Sequence, residues 1–306
     1  MAKKIILIAG LVTIIFLSSL AVATAAAEAT LASRPPQPQQ QPVPLSAEPL
    51  RGGVYWVEGG SGANTGFIIG KKEVIVIDAK MTEESAQAML AEIKKLTPNP
   101  VKYIVLTHSD GDHVNGLAGF PQRLTIVAHT NTRKDMEEAF QDPKMSALLP
   151  YLPNETFAGE RPLNIDGVRV NLLHFGPAHT SGDLVVYLPD QKIAFVGDLA
   201  FIGRDPLIHR QKGGTSFGLV QTLQKILALD ADTFISGHND PLTKADIQGL
   251  LTSIEEKQAK VKALIQQGKS LEEIKSAFGI AEAPVPGGRR WPSLVETIYL
   301  ELAEKK

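Results

Sequence analysis

The sequence predicts an α/β fold: two mixed β-sheets with helices packed on their outer faces. Three observations carry this. Short runs rich in β-branched residues alternate with segments whose apolar residues recur at helical spacing. The order strands, helix, strand occurs twice and is followed by a helical tail. Histidines and aspartates cluster immediately after the ends of several apolar runs, where loops on a rigid scaffold carry binding and catalytic groups. Helices on the outer faces of two sheets bury the apolar side of every element, the natural packing for this order.

The elements follow in chain order. Val54–Val57, Gly66–Ile69 and Val74–Ile77 read as three successive strands with Gly-containing turns between them. Residues 82–96 place Ala86, Met89, Leu90, Ile93 and Leu96 on one face, which predicts an amphipathic helix. Val101–Leu106 is a buried strand, Leu124–Ala128 another, and 131–148 a helix. A second set of strands is expected over Val168–Phe175, Leu184–Leu188 and Lys192–Val196. Residues 216–229 form a helix and Thr233–Ile235 a short buried strand. From residue 243 the pattern is helical, with Leu250, Ile254, Val261, Leu264 and Ile265 on one face, and a last helix runs from about Trp291 to Leu302. A core domain over 51–242 and a helical extension over 243–306 that packs on it are the expected organisation.

The N-terminus has the order of a secretory signal peptide: Lys3 and Lys4, an apolar run from Ile5 to about Ala23, then small residues to Ala27. The run is long enough that an uncleaved membrane anchor over residues 5–23 is the alternative. Residues 1–27 are read as the signal peptide, which implies a periplasmic or secreted protein. Residues 28–50 are read as a linker, because the stretch Arg34 to Pro44 is rich in Pro and Gln and has too little apolar surface to bury. Removing residues 1–27 takes away two lysines and no acids, so the formal charge moves from -2 to -4. No basic block suggests nucleic acid. With no cysteine, there is no disulfide framework, thiolate ligand or thiol nucleophile.

Two of the chain's seven histidines and two carboxylates fall within six positions, in Thr107-His108-Ser109-Asp110-Gly111-Asp112-His113. Neutral imidazole and carboxylate together are a ligand set for zinc, iron or manganese. Three later turns repeat the arrangement of apolar strand, glycine and polar residue: His179 in Gly176 to Asp183, Asp198 after Gly197, and His238 after Gly237. Four histidines and three aspartates are thus available to converge, enough for two metals that share one carboxylate.

These residues resemble the metallo-β-lactamase superfamily of di-metal hydrolases, whose pattern is His-x-His-x-Asp-His, a lone His, a bridging-position residue and a final His. The resemblance covers about 53–242, and the strand ending in Asp78 also resembles the family's first motif. It implies a four-layered αββα sandwich. It implies one metal held by His108, Asp110 and His179, a second held by Asp112, His113 and His238, and Asp198 bridging them. The cofactors it implies are two divalent metal ions, zinc in the family's usual sites. Asp110 stands where the family has its second histidine. Flavodiiron proteins, with a Glu there and iron in the site, resemble this, and a harder, more anionic site admits iron or manganese.

The function this implies is hydrolysis of a small-molecule substrate by a metal-bound hydroxide, with Asp112 orienting the hydroxide and taking its proton. Esters, thioesters, lactones and amides, including β-lactams, are candidate substrates. Asp198 points away from the main metallo-β-lactamase subclasses, which mostly carry Cys or Ser there, and toward thioesterases, lactonases and phosphodiesterases. Two other classes stay open: an iron-binding redox or oxygen-handling protein of the same fold, and a non-catalytic metal- or partner-binding envelope protein. His209 and Arg210, in a loop soon after Asp198, are candidate substrate contacts. His129 and His174 are assigned structural roles, and Arg289-Arg290-Trp291 a solvated loop before the last helix.

Overall fold

The computed structural model describes residues 43–280 and 291–304. The signal-peptide reading of 1–27 and the linker reading of 28–42 lie outside the described residues, as do Arg289 and Arg290. Residues 43–50 are not linker. Val43–Pro49 is a strand, β1, antiparallel to β2 (Val54–Gly60). Leu45 and Ala47 pack on the core of the first sheet, which is why a Pro-rich stretch pairs there. β1 stands at the sheet edge, where prolines are tolerated.

The first sheet continues through β3 (Thr65–Ile69), β4 (Val74–Ile77), β5 (Val101–Val105), β6 (Thr125–His129) and β7 (Glu155–Phe157), in spatial order β1 to β7. Its first four strands are antiparallel and its last four parallel. The second sheet has the order β12-β11-β10-β9-β8. These strands are β8 (Glu160–Ile165), β9 (Val168–Leu173), β10 (Val185–Leu188), β11 (Ile193–Gly197) and β12 (Thr233–Ser236). Only β11 and β12 pair in parallel.

The period-2 alternation of strands sorts side chains between layers. Ile75 and Ile77 of β4 meet Leu172, Val186 and Phe195 between the sheets. Val74 and Val76 of the same strand face the opposite way, against α1 (Glu83–Leu96) through Met89 and Ile93. On the far side, Ala194 and Val196 pack on α4 (Ser216–Ala228) and α5 (Lys244–Gln266) through Leu219, Leu223, Ile247 and Ile254. Between α1 and α4 in sequence lie the single turn α2 (Gly111–Val114) and α3 (Thr130–Ala139). α6 (Leu271–Ala277) and α7 (Leu294–Ala303) complete the outer layer. The result is the expected helix, sheet, sheet, helix sandwich.

Two boundaries differ from expectation for local reasons, and two strands were not expected. The helix read over 131–148 stops at Ala139, and a 3-10 segment takes over at Pro143–Tyr151. Pro143 and Pro150 lack the N–H that a continuous helix requires. The last helix starts at Leu294, not Trp291: Pro292 intervenes and Ser293 caps the helix by accepting from the Glu296 amide. β7 and β8 were missed because β7 is short and β8 is a mostly polar, half-exposed strand at the sheet edge.

The pairing directions decide where the polar turns fall. β4, β5 and β6 run parallel, so the turns after all three leave one edge of the first sheet. β9 and β11 both run antiparallel to β10, and β12 runs parallel to β11, so the turns after β9, β11 and β12 also share one edge.

Candidate metal centre

All seven expected ligands meet where these turns converge. One ligand atom each from His108, Asp110, His179 and Asp198 lies within 4.8 Å of the others. A second group, Asp112, His113 and His238, is equally close-knit. Asp198 joins them: its Oδ1 is 3.1 Å from His113 Nε2, and its Oδ2 is 3.2 Å from His238 Nε2 and 3.9 Å from His108 Nε2. His108, His113, His179 and Asp198 are buried, whereas Asp112 and His238 open toward solvent.

Local chain geometry sets each of these. The loop after β5 folds into the single turn α2, with Asp110 at its N-cap position, which swings Asp112 and His113 around behind His108. Gly237 is required beside His238, because a Cβ there would stand 2.3 Å from Asp198 Oδ1 and 2.8 Å from His113 Cε1. Gly197 has φ +50°, and a Cβ there would press on Thr107. Asp183, buried in the turn after His179, accepts from the Thr180 amide and hydroxyl and closes that turn.

The imidazoles are pre-oriented by their far nitrogens. Asp78 Oδ2 lies 2.8 Å from His113 Nδ1 and accepts its proton, and it also accepts from Thr107 Oγ1. With its own proton so committed, Thr107 Oγ1 accepts from His108 Nδ1 at 3.1 Å. His179 Nδ1 donates to the Leu207 carbonyl at 2.7 Å. All three therefore hold a proton at Nδ1, so that a metal displacing any proton on Nε2 would meet a lone pair turned into the cluster. The Nε2 atoms of His108 and His113 and Oδ1 of Asp198 are buried without a hydrogen-bond partner. Buried polar atoms are rarely left so, and a bound cation satisfies all of them at once. The donor set fits one or two divalent metal ions.

Electrostatics agree. Burial works against charge on His113, but Asp198 and Asp78 outweigh it and push His113 well above its ordinary value. His179 and His238 are raised to about 9 against their burial, by Asp110 for the first and by Asp112 and Asp198 for the second. His108 goes the other way, lowered by burial and by the neighbouring His113. The pocket calls for positive charge, which a metal cation supplies as well as a proton does.

His209, read from the sequence as a substrate contact, sits beside the first group: its Nε2 is 2.7 Å from Asp110 Oδ2. Arg210 does not contribute. Its guanidinium turns away and pairs with Glu304 at the end of α7. Trp291 is more than a solvated loop residue, since its ring stands edge-on to His209 with centroids 4.6 Å apart. His129 and His174 stack on each other at 4.0 Å, and His129 also caps α3, in keeping with structural roles. Sequence reasoning missed Lys212, whose Nζ is 2.7 Å from Asp110 Oδ1. It also missed Phe201, whose ring lies flat on His238 at 5.3 Å. Nothing in the local pattern distinguishes Lys212 from any loop lysine. Phe201 carried a faint signal, a large aromatic three residues after Asp198.

Comparison with known proteins places this arrangement. The family model of the metallo-beta-lactamase superfamily matches residues 59–238, from β2 to the last candidate ligand. Among curated relatives, the 2,4-dinitroanisole O-demethylase subunit alpha of Nocardioides sp. is 28% identical over 67% of this chain and 60% of its own length. The linear primary-alkylsulfatase of Pseudomonas sp. is 22% identical over 56% of this chain and 40% of its own. The hydroxyacylglutathione hydrolase of Rhizobium meliloti is 31% identical over 47% and 50%. This chain thus spans less than two thirds of the length of each. Among solved structures, the stereoselective inverting sec-alkylsulfatase Pisa1 from Pseudomonas sp. superposes with a TM-score of 0.69 at 18% identity, over 84% of this chain and 50% of that one. A metallo-beta-lactamase from Pontibacter korlensis gives 0.58 at 21%, over 69% and 99%. On the family match over more than half its length, together with the fold and the converging ligands, this chain belongs to the metallo-beta-lactamase superfamily.

Proposed function

We propose that the chain is a metal-dependent hydrolase of small molecules, acting on an ester, thioester, lactone or amide bond. The observation that carries this is the convergence of buried, unpartnered Nε2 atoms on a shared, buried Asp198. In this reading His108, Asp110 and His179 would hold one divalent metal, Asp112, His113 and His238 would hold a second, and Asp198, which lies between the two groups, would serve both. Zinc is the first candidate, with iron or manganese admitted by the carboxylate at Asp110. Bound metal would supply Lewis acidity, polarising the substrate oxygen and making a water nucleophilic at neutral pH.

The residues divide the remaining work. Asp112, with its carboxylate half open to solvent and 3.3 Å from His238 Nε2, is placed to orient a water and take its proton. Asp78 and Thr107 keep His113 and His108 in the tautomer that leaves Nε2 free. Phe201 on His238 and Trp291 on His209 line the two flanks with aromatic surface, which suits a substrate carrying an apolar group. The relatives named for acting on an aryl methyl ether, an alkyl sulfate and an acyl-glutathione support a small organic substrate without selecting one.

Export belongs to the same reading. The basic, apolar, small-residue order of 1–27 supports cleavage after about Ala27 and release to the periplasm or medium, with a membrane anchor over 5–23 as the alternative. Among the described residues no helix is long and apolar enough to cross a membrane. The mass of the protein recovered from each fraction separates cleavage from anchoring.

The test of the hydrolase reading combines metal analysis with a hydrolysis screen over thioesters, lactones, β-lactams and aryl esters. Two metal equivalents with turnover are expected, and His113→Ala loses one equivalent and the activity. Unchanged hydrolysis in His113→Ala would refute the mechanism.

A further inference from the structure

Asp110 is the one candidate ligand that departs from the superfamily pattern, and a single loop closes over it. Lys212 Nζ donates to Asp110 Oδ1 at 2.7 Å, to Ser109 Oγ at 3.0 Å and to the Ser109 carbonyl at 3.3 Å. His209 Nε2 lies 2.7 Å from the other oxygen, Oδ2. The Gln211 carboxamide nitrogen, 3.1 Å from His209 Nδ1, is a donor, so Nδ1 accepts and the proton of His209 sits on Nε2. The tautomer of His209 is thus the reverse of that of His108, His113 and His179. His209 faces the site with a proton rather than a lone pair, and it stands against Asp110 rather than offering a lone pair to a metal.

The same loop holds the neighbouring ligand. The Leu207 carbonyl accepts from His179 Nδ1 at 2.7 Å, and the His209 amide donates to the His179 carbonyl at 2.8 Å. The loop is itself anchored. Ser181 N donates to the Lys212 carbonyl, and Trp291 backs the His209 ring. His209 is almost fully buried.

On the metal reading proposed above, we infer that the Leu207–Gly214 loop is a clamp that presets the first metal site. Lys212 occupies Asp110 Oδ1, so Asp110 offers a single oxygen, Oδ2, to the cluster. Oδ2 is 3.2 Å from His179 Nε2 and 3.8 Å from His108 Nε2, spacings at which donors can share one ion. A carboxylate in place of an imidazole adds one negative charge, and Lys212 returns it. Lys212 and His209 are positioning residues: they act through Asp110.

The experiment is a cobalt titration of the full folded chain against a competing chelator, read by visible absorption. Wild type is expected to bind two equivalents. Lys212→Met should weaken the first site about 10–100-fold and change the cobalt spectrum, because a freed Asp110 can rotate or bind through both oxygens. Lys212→Arg should restore most of the affinity, and Arg210→Ala, in the same loop but turned away, should match wild type. With Asp110→His in place there is no carboxylate to clamp, so adding Lys212→Met should cost nothing further. A folded Lys212→Met with wild-type affinity and spectrum overturns the clamp while leaving the metal reading intact. So does an equal loss in the Asp110→His background, which would mean that Lys212 supports the fold. A wild-type chain that takes up no cobalt overturns the metal reading and the clamp together.

Discussion

Replacing Asp78 by Asn tests the link between the scaffold and the metal centre with little structural damage. Asp78 has φ +60°, a left-handed conformation in which Asn is among the most tolerated residues, so the backbone should not object. Its carboxylate accepts three buried hydrogen bonds: from the Thr107 amide at 2.8 Å, from Thr107 Oγ1 at 2.7 Å and from His113 Nδ1 at 2.8 Å. The carboxamide keeps an acceptor for the Thr107 amide but turns an N–H toward His113. The imidazole can answer by moving its proton to Nε2, where Asp198 Oδ1 waits at 3.1 Å. The metal-free protein is therefore expected to lose about 1–2 kcal/mol, since the Thr107 hydroxyl loses its acceptor at Oδ2 and can redirect only to His108 Nδ1. A further cost falls on metal binding, because His113 no longer offers a lone pair. Loss of such an orienting partner weakens metal affinity about 10–100-fold. By linkage, that removes about 1.4–2.8 kcal/mol of metal-dependent stabilisation at saturating metal. At about 2–4 °C per kcal/mol for a chain of this size, the metal-loaded midpoint should fall by about 3–11 °C. Calorimetry with and without added zinc, alongside metal analysis, reads both numbers. If Asp78→Asn retains two equivalents and the wild-type metal-loaded midpoint, the tautomer reasoning is wrong.

Three further outcomes are expected. Gly237→Ala places a methyl 2.3 Å from Asp198 Oδ1 and should displace that carboxylate; stability should drop by about 1–3 kcal/mol and metal content at both sites should fall, as chemical denaturation and metal analysis would show. His129, lowered to about 4 by burial and by the stacked His174, stays neutral in the folded chain while the unfolded chain takes a proton near 6.5. Its contribution is therefore intact above about pH 6.5 and is lost as pH falls toward 4. Between pH 7.5 and 5 the loss should be about 1–2 kcal/mol, the lower end reflecting screening by nearby water. His129→Asn preserves the cap on α3 without the titration, so its urea midpoint should move less than wild type's over that range. Glu301, buried in α7, accepts from the Ser216 amide at 2.8 Å and from the Ser216 hydroxyl at the start of α4. Glu301→Ala should cost about 1–3 kcal/mol by leaving those donors unpaired and should raise amide exchange in α7.

Much of the fold was legible because both periodicities were strong. Strand β4, with Ile75 and Ile77 on one face and Val74 and Val76 on the other, reads as a buried strand whichever side faces the partner sheet. The candidate metal ligands were legible for a related reason. Each follows an apolar strand, and glycine or a tight turn marks the change of direction. β1 was not legible, because its Pro-rich composition resembles a tether and only pairing with β2 reveals a strand. β7 and β8 are too short or too polar to show a period.

The sequence by itself determined the family pattern, the layer order and the seven residues that converge as candidate ligands, because those properties reside in residue type and local spacing. It also marked Asp110 as the departure. Tertiary structure alone decided how that departure is accommodated. Lys212 lies 102 residues from Asp110 along the chain and meets it at 2.7 Å. His209 and Arg210 are adjacent in sequence, yet one faces the cluster and the other faces Glu304. Proton positions on the histidines follow from partners such as Asp78 and Leu207, brought near only when strand ends converge on one edge. Local pattern encodes which groups can bind a cation; long-range packing sets their orientation, their protonation and the charge around them.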